Sequence, residues 1–266
     1  MDGKASVIRA WDQRYVQQQG ARGVVRTITA TLVSSPGCPC IDAFPIPPAT
    51  NEMGTYLDAL RALLSSYASI DLFRVVMYDA GACSEANARG TRALGLHYVM
   101  QLNEAQPTLF SEARRVLGGE REHVVELADQ HERVRYRLRI TRGLEGFLDW
   151  RHLRTIVHAH RETLAADGGV RGRGDRYFVS SMAPDSLEPA GWARLIRARW
   201  AVENNNHHTF DTALAPPGLI LTPASPNLTA TTRSSRHAAG AAMYASGRPI
   251  ESGVTAPRLD PTGPLT

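Results

Sequence analysis

The sequence predicts a mixed α/β fold, in which a sheet carries helices on its faces. Two patterns indicate this class. In the first half of the chain, short apolar runs typical of buried strands alternate with segments whose apolar residues recur at helical spacing. In the second half, a block of charged and apolar residues alternates between Gly-rich breaks, which predicts a β-rich segment.

The first elements are a strand hairpin and a helix. Residues 5 to 23 are polar and rich in Gln, and we interpret them as an irregular lead-in. Val24 to Ser34 is β-branched and roughly alternating, and Cys40 to Ile46 returns after the Pro36-Gly37 turn. A helix is predicted after Thr50-Asn51-Glu52, where apolar residues follow a helical period: Tyr56, Leu57, Leu60, Leu63 and Leu64.

The middle of the chain alternates strands and helices. Leu72 to Tyr78 is nearly continuous in apolar residues, as expected of a buried strand, and it ends at Asp79. A helix from about Ser84 to Leu94 follows, with Ser84 as a suitable N-cap. A strand from His97 to Leu102 and a helix from Thr108 to Leu117 complete this part.

Residues 120 to 182 form the predicted β-rich block, with strands near 134–140, 155–160 and 177–182. Pro189 to Leu214 returns to a helical pattern. The candidates for its buried side are Trp192, Leu195, Ile196, Trp200 and Val202. Residues 215 to 266 are rich in Ala, Pro, Gly, Ser and Thr without a sustained period, so we expect this tail to be disordered.

Composition narrows the class of protein. The net charge is +4, and nearly all the basic residues are Arg, which suits phosphate contact but supports nucleic-acid binding only weakly. No apolar run is long enough for a membrane helix, and the first residues contain no apolar signal segment. We therefore expect a cytoplasmic protein that has no membrane contact.

Several short sequence patterns are compatible with metal or ligand binding, but each can also be explained by an ordinary structural role. Cys38-Pro39-Cys40 is a possible metal pair, but no second pair follows at zinc-site spacing, which favours ordinary thiols. His158 and His160 would share one face of a strand, but no further ligand is evident, so we interpret them as strand residues. We interpret Arg173-Gly174-Asp175 as a loop, and residues 168–174 lack the phosphate-binding loop pattern.

Three acidic residues are candidates for catalysis: Asp2, Asp79 and Glu203. Asp79 follows a predicted central strand, which is where open α/β sheets place functional groups. Carboxylates from separate elements can converge on Mg²⁺, and two such ions would stabilise an in-line phosphodiester displacement. The alternative is that these carboxylates face solvent, as most of the 26 acidic residues should.

Two segments resemble the H-repeat-associated group of DDE-type insertion-sequence transposases. Residues 75–110 resemble the region around the second catalytic aspartate; the matching residues are Gly95, Tyr98, Gln106, Pro107, Thr108 and Leu109, with Asn103 in place of the usual Lys. Residues 196–211 resemble the helix of the third acid; the matching residues are Arg197, Trp200, Glu203, Asn204, His207 and Asp211. In that helix Arg199 replaces a His and His208 replaces a Trp.

Shorter matches occur in the family's order. Asp2-Gly3-Lys4 matches the segment of the first catalytic acid, and Asn51-Glu52 matches a pair that precedes the first helix. The resemblance implies a ribonuclease-H-like catalytic core over residues 1–214, with a β-rich insertion at about 118–185. It also implies DNA cleavage at the ends of an insertion element, followed by strand transfer into target DNA.

The resemblance assigns roles residue by residue. Asp2, Asp79 and Glu203 would bind two Mg²⁺ ions, which Mn²⁺ can replace. Arg197, Arg199 and Asn204 would contact DNA, although a solvated helix face is an equal alternative for Arg199. Family transposases generally act as dimers on paired DNA ends, so a homodimer is implied.

The pattern departs from the family at both ends. The family's first aspartate closes a leading strand, whereas only Met1 precedes Asp2, so we expect that strand to be truncated and Asp2 to be unanchored. The sequence after Leu214 does not resemble the family's continuation. The hypotheses are thus a working transposase core, a catalytically inactive fragment that at most binds DNA, and a basic DNA-binding protein with a chance triad.

Overall fold

A computed structural model describes residues 1–7, 13–19, 22–35, 38–67, 72–128 and 133–201. These residues have the mixed α/β architecture that the sequence predicts, with two sheets and four α-helices within the described part. The remaining residues, including 202–214 of the predicted last helix and the whole 215–266 tail, lie outside the described residues.

Four strands form the first sheet: β1 Asp2–Val7, β2 Gln17–Gln19, β3 Arg22–Thr31 and β4 Cys40–Pro45. The long β3 pairs antiparallel with each of the others. The β3–β4 hairpin confirms the sequence prediction. The prediction that residues 5 to 23 form an irregular lead-in is wrong, because this segment contains the end of β1 and all of β2. Backbone pairing with β3, and not side-chain alternation, defines both strands.

Six strands form the second sheet: β5 Val75–Tyr78, β6 His97–Leu102, β7 His123–Ala128, β8 Arg133–Thr141, β9 Thr155–Leu164 and β10 Val170–Ser180. Their order is β5-β6-β10-β9-β8-β7. β5 and β6 are parallel, and every other pair is antiparallel. The predicted β-rich block is therefore an antiparallel extension of a short parallel core. Arg173-Gly174-Asp175 lies within β10, so its interpretation as a loop is wrong.

The helices cover both faces of the second sheet. They are α1 Glu52–Tyr67, α2 Glu85–Ala93, α3 Pro107–Leu117 and α4 Pro189–Ala201. Residues of α1, α2 and α3 share one apolar cluster with Tyr98 and Met100 of β6. Trp192 and Ile196 of α4 share the other with Val99 of β6. The buried positions predicted at Trp192 and Ile196 are confirmed, Leu195 is partly buried, and the Trp200 side chain and Val202 lie outside the described residues.

The two sheets meet at β1 and β5. Ile28 of β3 and Val76 of β5 belong to one apolar cluster, so the sheets share a core under α1. The Met1 ammonium group donates a hydrogen bond of 2.7 Å to the carbonyl of Met77 in β5. The start of β1 therefore lies beside β5, which is the edge strand of the second sheet.

Within the described residues, no helix is both long enough and apolar enough to cross a membrane.

Candidate functional site

Asp79 lies directly after β5, at the end where β5 and the parallel β6 both finish. Its Oδ1 accepts a hydrogen bond of 2.8 Å from the backbone N–H of Gly81. This bond caps a short 3₁₀ turn, Ala80–Ala82, and fixes the orientation of the carboxylate. The carboxyl end of a parallel pair is the edge at which α/β sheets place functional groups. The predicted position of Asp79 directly after a buried strand is confirmed, but the prediction that this strand is central is wrong, because β5 is an edge strand of the second sheet.

Hydrogen bonds fix the start of α2 relative to the Ala80–Ala82 turn. Ser84 is the N-cap of α2, because its hydroxyl accepts from the N–H of Asn87 at 3.2 Å, as the sequence predicts. The buried Asn87 amide donates to the carbonyl of Ala82 at 3.0 Å and to that of Met53 at 3.1 Å. Asn87 therefore ties the turn after Asp79 to the first turn of α1.

That tie places Glu52, the first residue of α1, next to Asp79. A methyl group on Gly81 would lie 2.8 Å from Glu52 Oε2 and 3.0 Å from Asp79 Oδ1. Both carboxylates therefore face the same small space, which only a glycine leaves open. Burial and the negative charge of Asp79 raise the pKa of Glu52, and the positive charge of Arg26 partly opposes that increase.

The loop after β6 closes the other side of this region. Gln106 donates from Nε2 to the carbonyl of Cys83 at 3.1 Å, which joins the start of α3 to the segment before α2. Asn103, which stands where the resembled family has Lys, accepts from the N–H of Ala105 at 3.0 Å. Asn103 thus stabilises its own turn, and the cationic group of the family pattern is missing at this position.

Asp2 is the first residue of β1, opposite Thr29 of β3. The expectation that Asp2 is unanchored is wrong for its backbone, since both this pairing and the Met1–Met77 hydrogen bond hold it in place. Met77 is two residues before Asp79, so the chain at Asp2 and the chain at Asp79 lie near each other. The side chain of Asp2 lies outside the described residues.

The other predicted site residues belong to the last helix. Glu203 and Asn204 lie outside the described residues, so the complete triad is not observed. Arg197 lies on α4 and is partly buried. Arg199, also on α4, is only 7% exposed, so the alternative that it belongs to a solvated helix face is wrong.

The donor atoms near Asp79 fit a hard divalent cation. Asp79 and Glu52 offer carboxylate oxygens, the ligands that Mg²⁺ prefers, and a cation there would offset the repulsion between them. Among the described side chains, no three His, Cys, Asp or Glu residues come together as a metal-binding group. That set does not include the side chain of Asp2 or Glu203.

The histidine pair of β9 has a partner that the sequence did not indicate. Asp175 Oδ1 lies 2.7 Å from His158 Nε2 and 3.0 Å from His160 Nδ1. Burial raises the pKa of Asp175, but the hydrogen bonds of His160 and His158 outweigh it and hold that pKa below its usual value. His158 also stacks on Tyr177 with ring centroids 4.6 Å apart. Both histidines thus have hydrogen-bond partners within the sheet, and His158 also has a stacking partner, in agreement with their interpretation as strand residues.

Sequence reasoning missed Glu52 and Asn87 as parts of the site. Asn51-Glu52 stood out only as a pair before a helix, and Asn87 looked like any polar residue of α2. Their proximity to Asp79 arises from the packing of α1 against the turn after β5.

Comparisons with known proteins do not identify a relative: no family model matches the chain, and no curated protein is significantly similar to it.

Proposed function

We propose that this chain is the catalytic core of a DDE-type transposase, which cuts DNA in a Mg²⁺-dependent reaction and joins the freed 3′-hydroxyl to target DNA. The observation that carries the proposal is the position of Asp79. It follows β5 at the carboxyl end of a parallel pair, beside the start of β1, where Asp2 lies. The motif resemblance assigns two of the three catalytic acids to these positions.

The order of elements supports a ribonuclease-H-like core. An antiparallel group of β1, β3 and β4 leads into α1, and β5, α2 and the parallel β6 follow. The Met1–Met77 hydrogen bond lies where β1 and β5 would be neighbours in one sheet of that type. The antiparallel strands β7 to β10 then occupy the position of the implied insertion.

The carboxylates would act together. When bound, two Mg²⁺ ions supply the charge that stabilises the attacking and leaving oxygens of an in-line displacement. Asp79 would hold its ligand oxygen in one orientation, because the Gly81 N–H fixes its carboxylate. Glu52 adds a further negative charge beside Asp79. Asp2 and Glu203 complete the proposed ligand set.

Basic residues of the last helix would bind the DNA. Arg197 and Arg199 lie on α4, the helix that precedes Glu203, and Asn204 follows that residue. Guanidinium groups bind phosphate oxygens in a bidentate manner, so we assign the partly buried Arg197 to the DNA backbone near the cut. The side chain of Arg199 is only 7% exposed, so we assign it no phosphate contact. Action on paired DNA ends would require a homodimer.

The test is Mg²⁺-dependent nicking of DNA that bears the element's ends. Replacement of Asp2, Asp79 or Glu203 by Ala should abolish cutting, because each removes a proposed metal ligand. Asp58→Ala is the matched control, since Asp58 is an exposed acid of α1 that pairs with Arg61. Asp79→Ala protein that still cuts would contradict the assignment. Wild-type protein that binds this DNA but never cuts it, in Mg²⁺ or Mn²⁺, would instead support a catalytically inactive core.

A further inference from the structure

The loop between β8 and β9, residues 142–154, has an unusual backbone at its tip. Gly146, Leu148 and Asp149 have positive φ angles of 71°, 52° and 62°. Glycine adopts this left-handed conformation freely, but a Leu rarely does, because its Cβ crowds the backbone. Two neighbouring non-glycine residues in this conformation require support from the surrounding structure, and such strain is concentrated at binding and catalytic sites.

The base of the 142–154 loop provides that support. Leu144, Trp150 and Leu153 are buried in the apolar core under α1 to α3. The N–H of Gly146 donates to the carbonyl of Leu153 at 3.4 Å, which closes the loop above these anchors. The anchored base holds Leu148 outward, where it is 49% exposed. An apolar side chain is thus displayed on a rigid support and not on a loose loop.

The tip of the 142–154 loop lies beside the first half of α2. Leu148, Asp149 and Arg151 line an open groove of about 510 Å³ together with Glu85 and Arg89 of α2. Glu85 begins α2, the helix that follows the turn at Asp79. The groove that Leu148 borders therefore touches the first turn of α2, and Glu85 is six residues after Asp79 along the chain.

The charges around Leu148 suit a phosphate backbone. Arg142, Arg151, His152 and Arg154 are exposed within the loop. The acidic residues in the same segment are Glu145, which lies 3.9 Å from Arg154, and Asp149. Exposed guanidinium groups that surround an apolar tip are the combination used by proteins that insert a side chain between base pairs.

We propose that Leu148 is a wedge that enters duplex DNA and unstacks a base next to the cut position. The arginines of the 142–154 loop would hold the flanking phosphates, and the strained backbone would keep the side chain extended toward the duplex. Unstacking would make the scissile phosphate accessible at the Asp79 edge of the sheet. This inference rests on the proposed function, since it requires DNA as the substrate.

The experiment uses duplex DNA bearing the element's end, with 2-aminopurine placed in turn at each base around the cut. Fluorescence of 2-aminopurine rises when the base is unstacked, so it reports insertion of a side chain into the duplex. The full chain is titrated into this DNA without metal, and DNA binding is measured separately by fluorescence anisotropy. The variants are Leu148→Ala and Leu148→Asn, the second of which tolerates the left-handed backbone. Val124→Ala is the matched control, because Val124 on β7 is also an exposed apolar residue, with 58% of its surface exposed.

Wild-type protein and Val124→Ala should raise the fluorescence several-fold at one or two adjacent bases. Both Leu148 variants should lose most of that rise while their DNA affinity falls less than about tenfold, because the phosphate contacts remain. A full rise in the Leu148 variants, or no rise with bound wild-type protein, would overturn the wedge and leave the proposed function intact. Absence of both DNA binding and DNA cutting would overturn the two together.

Discussion

Asn87 is the residue through which α1 and the turn after Asp79 hold each other in place. Its two donated hydrogen bonds satisfy the carbonyls of Ala82 and Met53, which belong to different elements. A buried amide with both donors satisfied defines one relative position for the groups it joins. The short distance between Glu52 and Asp79 therefore depends on a side chain that touches neither carboxylate.

We expect Asn87→Ala to lower the free energy of unfolding by about 2 kcal/mol, because two backbone carbonyls lose their partner. Urea unfolding measures this change. Asn103→Ala is the control, since the Asn103 side chain accepts a hydrogen bond from the N–H of Ala105 within an exposed turn, and its loss should cost less than about 1 kcal/mol. Equal effects of the two substitutions would show that Asn87 does not hold these elements together.

Glu52→Gln should have opposite effects on stability and on metal binding. The pKa of Glu52 is raised in the folded protein, so its ionised form is disfavoured there. The resulting destabilisation is absent below the unfolded pKa, near 4.5, and grows as the pH rises through the folded pKa. Without metal, Glu52→Gln should therefore be more stable than wild type at neutral pH, and the difference should disappear near pH 4.

The same substitution should weaken Mn²⁺ binding, because it removes a negative oxygen ligand beside Asp79. Calorimetric titration with Mn²⁺ alone measures this affinity. Glu112→Gln is the control, since Glu112 pairs with Arg115 on the exposed surface of α3. Unchanged Mn²⁺ affinity in Glu52→Gln would remove Glu52 from the site.

Among the elements, β8, β9 and β10 are joined by a ladder of charges as well as by their backbones. Glu162 of β9 is buried, and its carboxylate lies 3.4 Å from Arg135 of β8 and 3.6 Å from Arg173 of β10. A buried carboxylate needs such partners, because loss of its hydration is costly. The ladder explains why this block tolerates so many Arg residues on one face.

Glu162→Gln should destabilise the protein by about 2 kcal/mol, since several guanidinium groups lose one buried partner. Glu126→Gln, at an exposed end of the same ladder, should lower the stability much less than Glu162→Gln, because solvent screens its ion pairs. Thermal unfolding at low and at high salt separates the two, because salt screens only the exposed pairs strongly. A small cost for Glu162→Gln would show that the ladder is incidental.

Elements with strong local signals could be predicted from sequence, and elements held by distant partners could not. β6 lies at His97–Leu102, as its apolar run predicts, and Ser84 caps α2. β1 and β2 were missed because their polar sequences are strands only through pairing with β3. The first half of β10 was missed for the same reason: its glycines disfavour a strand, but β9 supplies the partner.

For the whole molecule, the sequence predicted where Asp79 lies but not which groups surround it. A carboxylate after a buried strand is a local pattern, and the fold places it at the predicted edge. Glu52 comes to the same edge only because α1 packs against both sheets, a contact between residues that are distant in sequence. The function assigned to this edge depends on whether its carboxylates bind metal for DNA cutting.

The measurement that tests this claim most directly is DNA cutting by Asp79→Cys protein in Mg²⁺ and in Mn²⁺. A thiolate is a poor ligand for Mg²⁺ and a better one for softer transition-metal ions. If Asp79 binds the catalytic metal, the variant should lose cutting in Mg²⁺ and regain part of it in Mn²⁺. Wild-type rates in Mg²⁺, with no difference between the two ions, would contradict the account.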